Sequence, residues 1–368
     1  MTNQTRWGIL GAANIARKNW HAILNSGNGV VAAVASRDPD RAGQFINECQ
    51  GQFPFAKIPE AIGGYEQLLA RKDIDAVYIP LPTGLRKEWV LRAAKAGKHI
   101  VCEKPCAISA ADLREMIDTC RQNRVQFLDG VMFMHSRRLN AVRTVINDEK
   151  TFGRLRRIQS SFSFPGSAEF FAENIRAHSG LEPHGCLGDL GWYCIRFSLW
   201  AMNEQMPRAV IGHRLAQVGR ADSPAAVATE FSGELLFAEG ISAGFYCSFV
   251  TGLQQWAHVG GTIGSARIDD FVLPYFGAEV RFEVEQPVFR LKGCAFNMEP
   301  RRRAIEVDEY SNNHECAQET NLFRNFANQI QSGSLNDEWP ALALRTQQVM
   351  EACLKSAAQD GRPCPVPN

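Results

Sequence analysis

The segment Gly8-Ile9-Leu10-Gly11-Ala12-Ala13-Asn14-Ile15-Ala16 sets small residues where an apolar strand gives way to a helix. A turn of this kind lets backbone approach a pyrophosphate, which the amides and partial positive charge of the helix start then hold. Gly11 and Ala16 match the outer positions of the Gly-x-Gly-x-x-Gly/Ala pattern, while Ala13 stands at the middle glycine. One added methyl group leaves close approach open, so Gly11, Ala13, Asn14 and Ile15 are the expected phosphate contacts. A glycine turn also occurs for structural reasons alone; its place at the head of several βα units argues for a dinucleotide.

The second strand ends in Ala35-Ser36-Arg37-Asp38. A carboxylate at such a tip accepts bonds from the ribose 2′-hydroxyl and repels a 2′-phosphate. This chain offers the Ser36 hydroxyl and the Arg37 guanidinium first, which favours NADP over NAD. The other reading is that Asp38 only caps the next helix and Arg37 is solvated.

These residues need a scaffold. Apolar strands over residues 6–10, 30–35, 76–81, 98–102 and 125–133 alternate with helical patterns, the rhythm of a doubly wound parallel sheet. Asp38-Pro39-Asp40 and Ser109 start two of the helices, and Gly97 ends another. Past Gly153 the rhythm changes. Strands over 155–164, 209–216, 226–231, 234–237, 241–250, 256–260, 266–269, 281–284 and 288–291 are joined mostly by short turns. They predict an antiparallel sheet. Helices are expected over 191–202, 319–333 and 341–361. The expected fold is therefore an α/β Rossmann domain over 1–130 and an α+β domain over 131–368 with a large open, mainly antiparallel sheet. The second domain would bind substrate and form oligomers, with its last helices packing back on the first.

Length supports two domains, since 368 residues exceed what one hydrophobic core usually spans. A formal charge of +1 gives no field that implies nucleic acid or an anionic membrane. The run Arg301-Arg302-Arg303 reads as a solvated face. No apolar stretch approaches the ~20 residues that span a bilayer, and the N-terminus lacks a signal-peptide pattern, so a cytoplasmic location is expected. Eleven scattered cysteines read as reduced, buried thiols. Cys-x-x-Cys and His-Glu-x-x-His are absent, which leaves His178, His184, Cys186 and Asp189 as the nearest metal-like cluster. No metal is expected.

At the end of the strand over 98–102 stands Cys102-Glu103-Lys104-Pro105, and the strand before it runs Tyr78-Ile79-Pro80-Leu81-Pro82-Thr83. Further on comes Gly188-Asp189-Leu190-Gly191-Trp192-Tyr193. With the N-terminal turn, these motifs resemble the glucose-fructose oxidoreductase / inositol dehydrogenase / rhizopine-catabolism (Gfo/Idh/MocA) family over nearly the whole chain. The resemblance implies that Lys104 is the catalytic lysine beside the nicotinamide, with Glu103 and Pro105 shaping the strand end and Pro105 following a cis bond. It implies that Asp189 holds a substrate hydroxyl and that Tyr193 is the acid–base, as in the branch of sugar oxidoreductases and dihydrodiol dehydrogenases. Leu81, Pro82 and Arg86 fall at the cofactor, although many relatives carry histidine where Arg86 stands. His184 is a further substrate-side candidate. Homodimers or homotetramers through the open sheet are implied as well.

The chemistry is self-consistent. Oxidising a secondary alcohol needs a hydride acceptor and a group that takes the hydroxyl proton. A tyrosine with pKa near ~10 is a poor base at neutral pH. A lysine cation about 4 Å away contributes up to ~4 kcal/mol at an effective dielectric of ~20, roughly three pKa units. Lys104 at a strand's C-terminal end and Tyr193 from the second domain would meet in an interdomain cleft. Phe162, Phe164, Phe170 and Phe171 read as packing and a mobile loop rather than a sugar platform. The leading expectation is hydride transfer between nicotinamide and a sugar, polyol or related cyclic substrate. Two alternatives are a catalytically silent NAD(P) sensor and a redox-assisted glycosidase with tightly held NAD.

Overall fold

The computed structural model describes residues 4–277 and 279–367. The chain divides into two compact units, one formed by residues 1–135, 178–183 and 312–347, the other by 136–177, 184–311 and 348–368.

The first unit is built on six parallel strands: β1 (Thr5–Leu10), β2 (Gly29–Ser36), β3 (Glu60–Gly63), β4 (Ala76–Ile79), β5 (His99–Cys102) and β6 (Phe127–Asp129). Their order is β3-β2-β1-β4-β5-β6, and every pairing is parallel. Crossover helices α1 (Asn14–Asn25), α2 (Pro39–Gln52), α3 (Tyr65–Leu69), α4 (Thr83–Lys95) and α5 (Ala110–Gln122) join them. Strands covered on both faces must be apolar throughout, and β1, β2 and β4 are almost wholly buried. Asp38 and Ser109 cap α2 and α5 through their side chains. Trp7, Trp20, Phe45 and Phe55 centre the core, and the helix Gln318–Gln331 adds Phe323 and Phe326 against Trp7.

Two details differ from the expectation. The apolar run over 125–133 is a three-residue strand followed by a 3-10 turn at Met132–His135. Val131 and Phe133 are apolar because they are buried, not because they are extended. Strand β3 was not anticipated, since only Ile62 of its four residues is buried.

Burial holds the His99 imidazole below its ordinary value of 6.5, with Asp75 opposing, and its Nδ1 accepts the Gln126 N–H at 2.9 Å. A folded value below the unfolded one means that this contribution is complete above 6.5 and is lost as the pH falls through the folded value. The unfolding temperature should therefore drop on acidification, and drop less steeply in His99→Asn, which keeps an acceptor but does not titrate. An identical slope in calorimetry would remove His99 from the account.

The second unit is a nine-stranded sheet with helices α6 (Arg137–Ile146), α7 (Ala168–Glu173) and α8 (Trp192–Ala201). Its strands are β7 (Leu155–Ser163), β8 (Ala209–Val218), β9 (Val227–Leu236), β10 (Ser242–Ser248), β11 (Gln254–Gly261), β12 (Ser265–Ile268) and β13 (Glu279–Glu285). A separate ribbon pairs β14 (Val288–Lys292) with β15 (Ala295–Glu299), and β16 (Arg302–Tyr310) and β17 (Cys364–Pro365) close the two edges of the large sheet. Among the described residues the strand ladders of this sheet are antiparallel except β7 with β10. The expected strands over 226–231 and 234–237 are one strand, β9. Gly233 reads as a break, yet it lies inside the strand, where a glycine makes room for the Phe245 ring, which a Cβ would meet at 2.4 Å. Arg302 and Arg303 belong to β16, and Arg302 pairs with Glu285 across to β13 at 2.8 Å.

Candidate functional site

The first group of candidates lies at the C-terminal edge of the parallel sheet. There β1 turns into α1, with β2 on one side and β4 on the other, the place where open α/β sheets take ligands. Gly11 has φ +111°, its N–H donates to the Ala35 carbonyl at 2.8 Å, and a Cβ would meet the Leu81 side chain at 3.1 Å. Only glycine suits that backbone. Ala13 stands at the N-cap of α1 in extended conformation and gives no side-chain cap, and the first turn has no acidic residue. Asn14 and Ile15 are exposed. A helix start with no side-chain acceptor in its cap has the donor set that phosphate oxygens require. The residues present therefore fit a dinucleotide pyrophosphate.

At the tip of β2, Ser36 is buried and its hydroxyl accepts from the Asp38 N–H at 3.4 Å. Asp38 in turn accepts from the Asp40 N–H at 3.0 Å, so its carboxylate caps α2. Arg37 is exposed. Burial raises the Tyr65 hydroxyl above its usual value, while Arg37 and Arg41 both pull it back. Both guanidinium groups thus act electrostatically on Tyr65. Arg41 was not anticipated, because it sits two residues past the start of α2 rather than in the strand-tip sequence.

Leu81 is buried beside Gly11, and the residues after it begin α4 with Pro82 at the cap. Arg86, on the first turn of α4, is 5% exposed and directs its guanidinium at protein groups: Nε donates to the Leu81 carbonyl at 2.7 Å and Nη1 to the Thr83 hydroxyl at 2.8 Å. Neither Thr83 nor Glu182, which bonds it, stands out in the sequence.

Next along the edge, β5 delivers Glu103 and Lys104. Glu103 is buried, and one of its oxygens accepts the Tyr78 hydroxyl at 2.6 Å. Its other oxygen accepts the Lys104 N–H at 3.3 Å. Asn19 shares a hydrogen bond with Tyr78, whose hydroxyl is driven well above the usual tyrosine range by burial and by the Glu103 carboxylate. Glu103 therefore accepts a proton-bearing hydroxyl and fixes the backbone of Lys104. The Lys104–Pro105 bond is cis, and Lys104 is half-buried. The Tyr78–Glu103 pair bridges adjacent strands 25 residues apart in sequence, a contact that no local motif announces.

The second group lies in the second unit. A π turn over Leu187–Gly191 leads directly into α8 and carries Asp189 four residues before Tyr193. Tyr193 is 5% exposed and packs edge-on to Phe162 of β7, with ring centroids 5.7 Å apart. Asp189 forms an ion pair with Arg176 at 2.7 Å. Arg176 was not anticipated either, because it comes from a separate 3-10 turn at Ile175–Ala177. His184 is buried, and its carbonyl accepts from the Gly188 N–H at 3.2 Å. Gly185 follows with φ +52°, where a Cβ would strike the Ala228 carbonyl at 2.2 Å. Phe164, Phe170 and Phe249 pack on one another with centroids 5.2–5.4 Å apart. Among the described residues no group of three His, Cys, Asp or Glu side chains has a metal-binding arrangement, and His178 falls in a different unit from His184, Cys186 and Asp189.

Comparison with known proteins converges with this geometry. Residues 5–130 match the family described as "Oxidoreductase family, NAD-binding Rossmann fold", and residues 140–267 match "GFO/IDH/MocA C-terminal domain". Mouse trans-1,2-dihydrobenzene-1,2-diol dehydrogenase is 31% identical over 273 residues, 73% of this chain and 76% of that protein. The dTDP-3,4-didehydro-2,6-dideoxy-alpha-D-glucose 3-reductase of Streptomyces violaceoruber is 31% identical over 292 residues, 77% of this chain and 78% of that one. The structure of a 3-ketoreductase from Actinomadura kijaniata, solved with NADP and TDP-benzene, shares the fold with a TM-score of 0.77 at 24% identity, covering 96% of this chain and 98% of that one. With two family models matched over residues 5–130 and 140–267 and relatives aligned over most of their length, the chain belongs to the Gfo/Idh/MocA family of NAD(P)-dependent oxidoreductases.

Proposed function

We propose that this chain transfers hydride between NADP and a secondary alcohol or carbonyl of a sugar, polyol or related cyclic substrate. The observation that supports the reading is one sheet edge that gathers an uncapped helix start at Asn14, the Arg37 and Arg41 guanidinium groups near Tyr65, and Lys104, whose backbone N–H is held by Glu103. When bound, the nicotinamide gives or takes the hydride; the chain's part is to orient the substrate and manage the proton. Lys104 supplies a cation beside the reacting oxygen, Tyr193 exchanges the hydroxyl proton, and Asp189 and His184 hold neighbouring substrate groups. Arg176 fixes the Asp189 carboxylate through their ion pair. The two relatives named above act on a cyclic diol and a nucleotide-linked deoxysugar, which supports a cyclic, hydroxyl-bearing substrate. The first unit serves the cofactor and the second the substrate, with the large sheet pairing subunits into dimers or tetramers in the cytoplasm. No helix among the described residues is long and apolar enough to cross a membrane.

The test is a spectrophotometric panel of sugars, polyols and cyclic diols with NADP and NAD. Nucleotide binding without hydride transfer across the panel would make the chain a sensor. Sugar release without net change in nicotinamide absorbance would make it a glycosidase. Within the same panel, Arg37→Ala should weaken NADP by about tenfold more than NAD, the scale of one charge-assisted phosphate bond. Equal losses in fluorescence titrations would overturn the NADP preference.

A further inference from the structure

Arg86 is a buried cation whose contacts join stretches of chain that sequence separates. Its Nε donates to the Leu81 carbonyl at 2.7 Å, and its Nη1 donates to the Thr83 hydroxyl at 2.8 Å and to the Pro105 carbonyl. Its Nη2 faces Glu182 at 3.8 Å. Glu182 accepts from both the Thr83 N–H at 3.1 Å and the Thr83 hydroxyl at 2.5 Å. Beside them the Gly84 N–H donates to the Leu181 carbonyl at 3.0 Å, and a Cβ on Gly84 would meet the Gly180 carbonyl at 2.5 Å. Residues 178–183 therefore lie flush on the first turn of α4, within the same unit.

The consequence falls on Lys104. Pro105 is its immediate neighbour, and the Pro105 carbonyl is held by Arg86 from one side while Glu103 holds the Lys104 N–H from the other. A guanidinium suits this task because its planar fork reaches several acceptors at fixed angles, which an ammonium or imidazole cannot do. We propose that Arg86 is a positioning residue: together with Thr83 and Glu182 it clamps the turn after β5 and thereby sets the Lys104 amine, in place of the cofactor contact expected from its position. The proposal rests on Lys104 being the reactive amine. A reacting group displaced by about 1 Å loses on the order of a hundredfold in rate, so the clamp acts on the chemical step rather than on nucleotide binding.

The test compares wild type, Arg86→Met and Arg86→Lys by three readouts: NADPH affinity by fluorescence, kcat and its pH profile, and the rate at which acetic anhydride labels Lys104, read by peptide mass spectrometry. In Arg86→Met, NADPH affinity should stay within about threefold while kcat falls about a hundredfold, the pH profile moves and Lys104 labelling changes. Arg86→Lys keeps a cation without the fork and should recover only part of the loss. An NADPH loss as large as the loss in kcat/KM would return Arg86 to the cofactor and overturn the proposal. Wild-type Lys104 labelling in a folded Arg86→Lys would also overturn it, even should Arg86→Met fail to fold. Labelling and titration need no turnover, so a wild type inactive on every substrate would remove the hydride-transfer reading and leave the clamp decided separately.

Discussion

Lys104→Ala is expected to lower kcat by about a hundredfold or more while NADPH affinity stays close to wild type, a magnitude typical of losing one group that assists proton transfer. The backbone of Lys104 is fixed by the Glu103 carboxylate, so truncating the side chain removes the amine and leaves the strand end in place. The start of α1 and the guanidinium groups at the β2 tip, which we propose hold the nucleotide, lie elsewhere along the sheet edge, which is why binding should survive. A cation about 4 Å from a phenol contributes at most ~4 kcal/mol at an effective dielectric of ~20, so losses far beyond a thousandfold would mean that the fold had been damaged too. Lys104→Arg separates charge from position, because it keeps a cation but moves it outward on a longer, planar group. Steady-state kinetics with matched nucleotide titrations check both variants. Near-normal turnover in Lys104→Ala would remove Lys104 from the chemistry.

How far the sequence could be read depends on whether a feature is local. All of the parallel sheet but β3 was legible because its βα units carry their own apolar strand runs, two of them followed by a side-chain cap, Asp38 before α2 and Ser109 before α5. Gly11 was legible because a turn into a helix at φ +111° admits little else. The groups that surround the candidates were not. Tyr78 and Glu103 meet only because β4 and β5 pair in register, with Tyr78 opposite Val101. Arg176 reaches Asp189, and Glu182 reaches Thr83, through the folded path of the chain. In the second unit, β9 was split at Gly233 because a glycine inside a strand reads as a turn, although here it makes room for a ring. Strands β15 and β16 escaped notice because most of their residues are exposed, and a charged or wholly exposed strand lacks the alternation that marks a half-buried one.

The same blindness to distant partners hides the largest expected loss of stability. Arg138 sits in the first turn of α6, where Ser136 caps the helix by accepting the Arg138 N–H at 3.1 Å. Its side chain is 2% exposed and donates through Nη1 to Asp270 Oδ1 at 2.5 Å and to the Arg281 carbonyl at 3.2 Å, and through Nη2 to the Asp270 carbonyl at 2.8 Å. The second Asp270 oxygen accepts the Tyr275 N–H at 2.8 Å. Asp270→Ala deletes the carboxylate and leaves a buried guanidinium facing carbonyls alone. Breaking one side of such a pair costs about 3–5 kcal/mol, whereas removing both charges together costs much less, since no buried ion is left uncompensated. Denaturant unfolding should therefore show a large loss in Asp270→Ala and a partial recovery when Arg138→Met is added. A loss below about 1 kcal/mol, the scale of an exposed ion pair, would show that water reaches Arg138 and that the pair does not organise this end of the sheet.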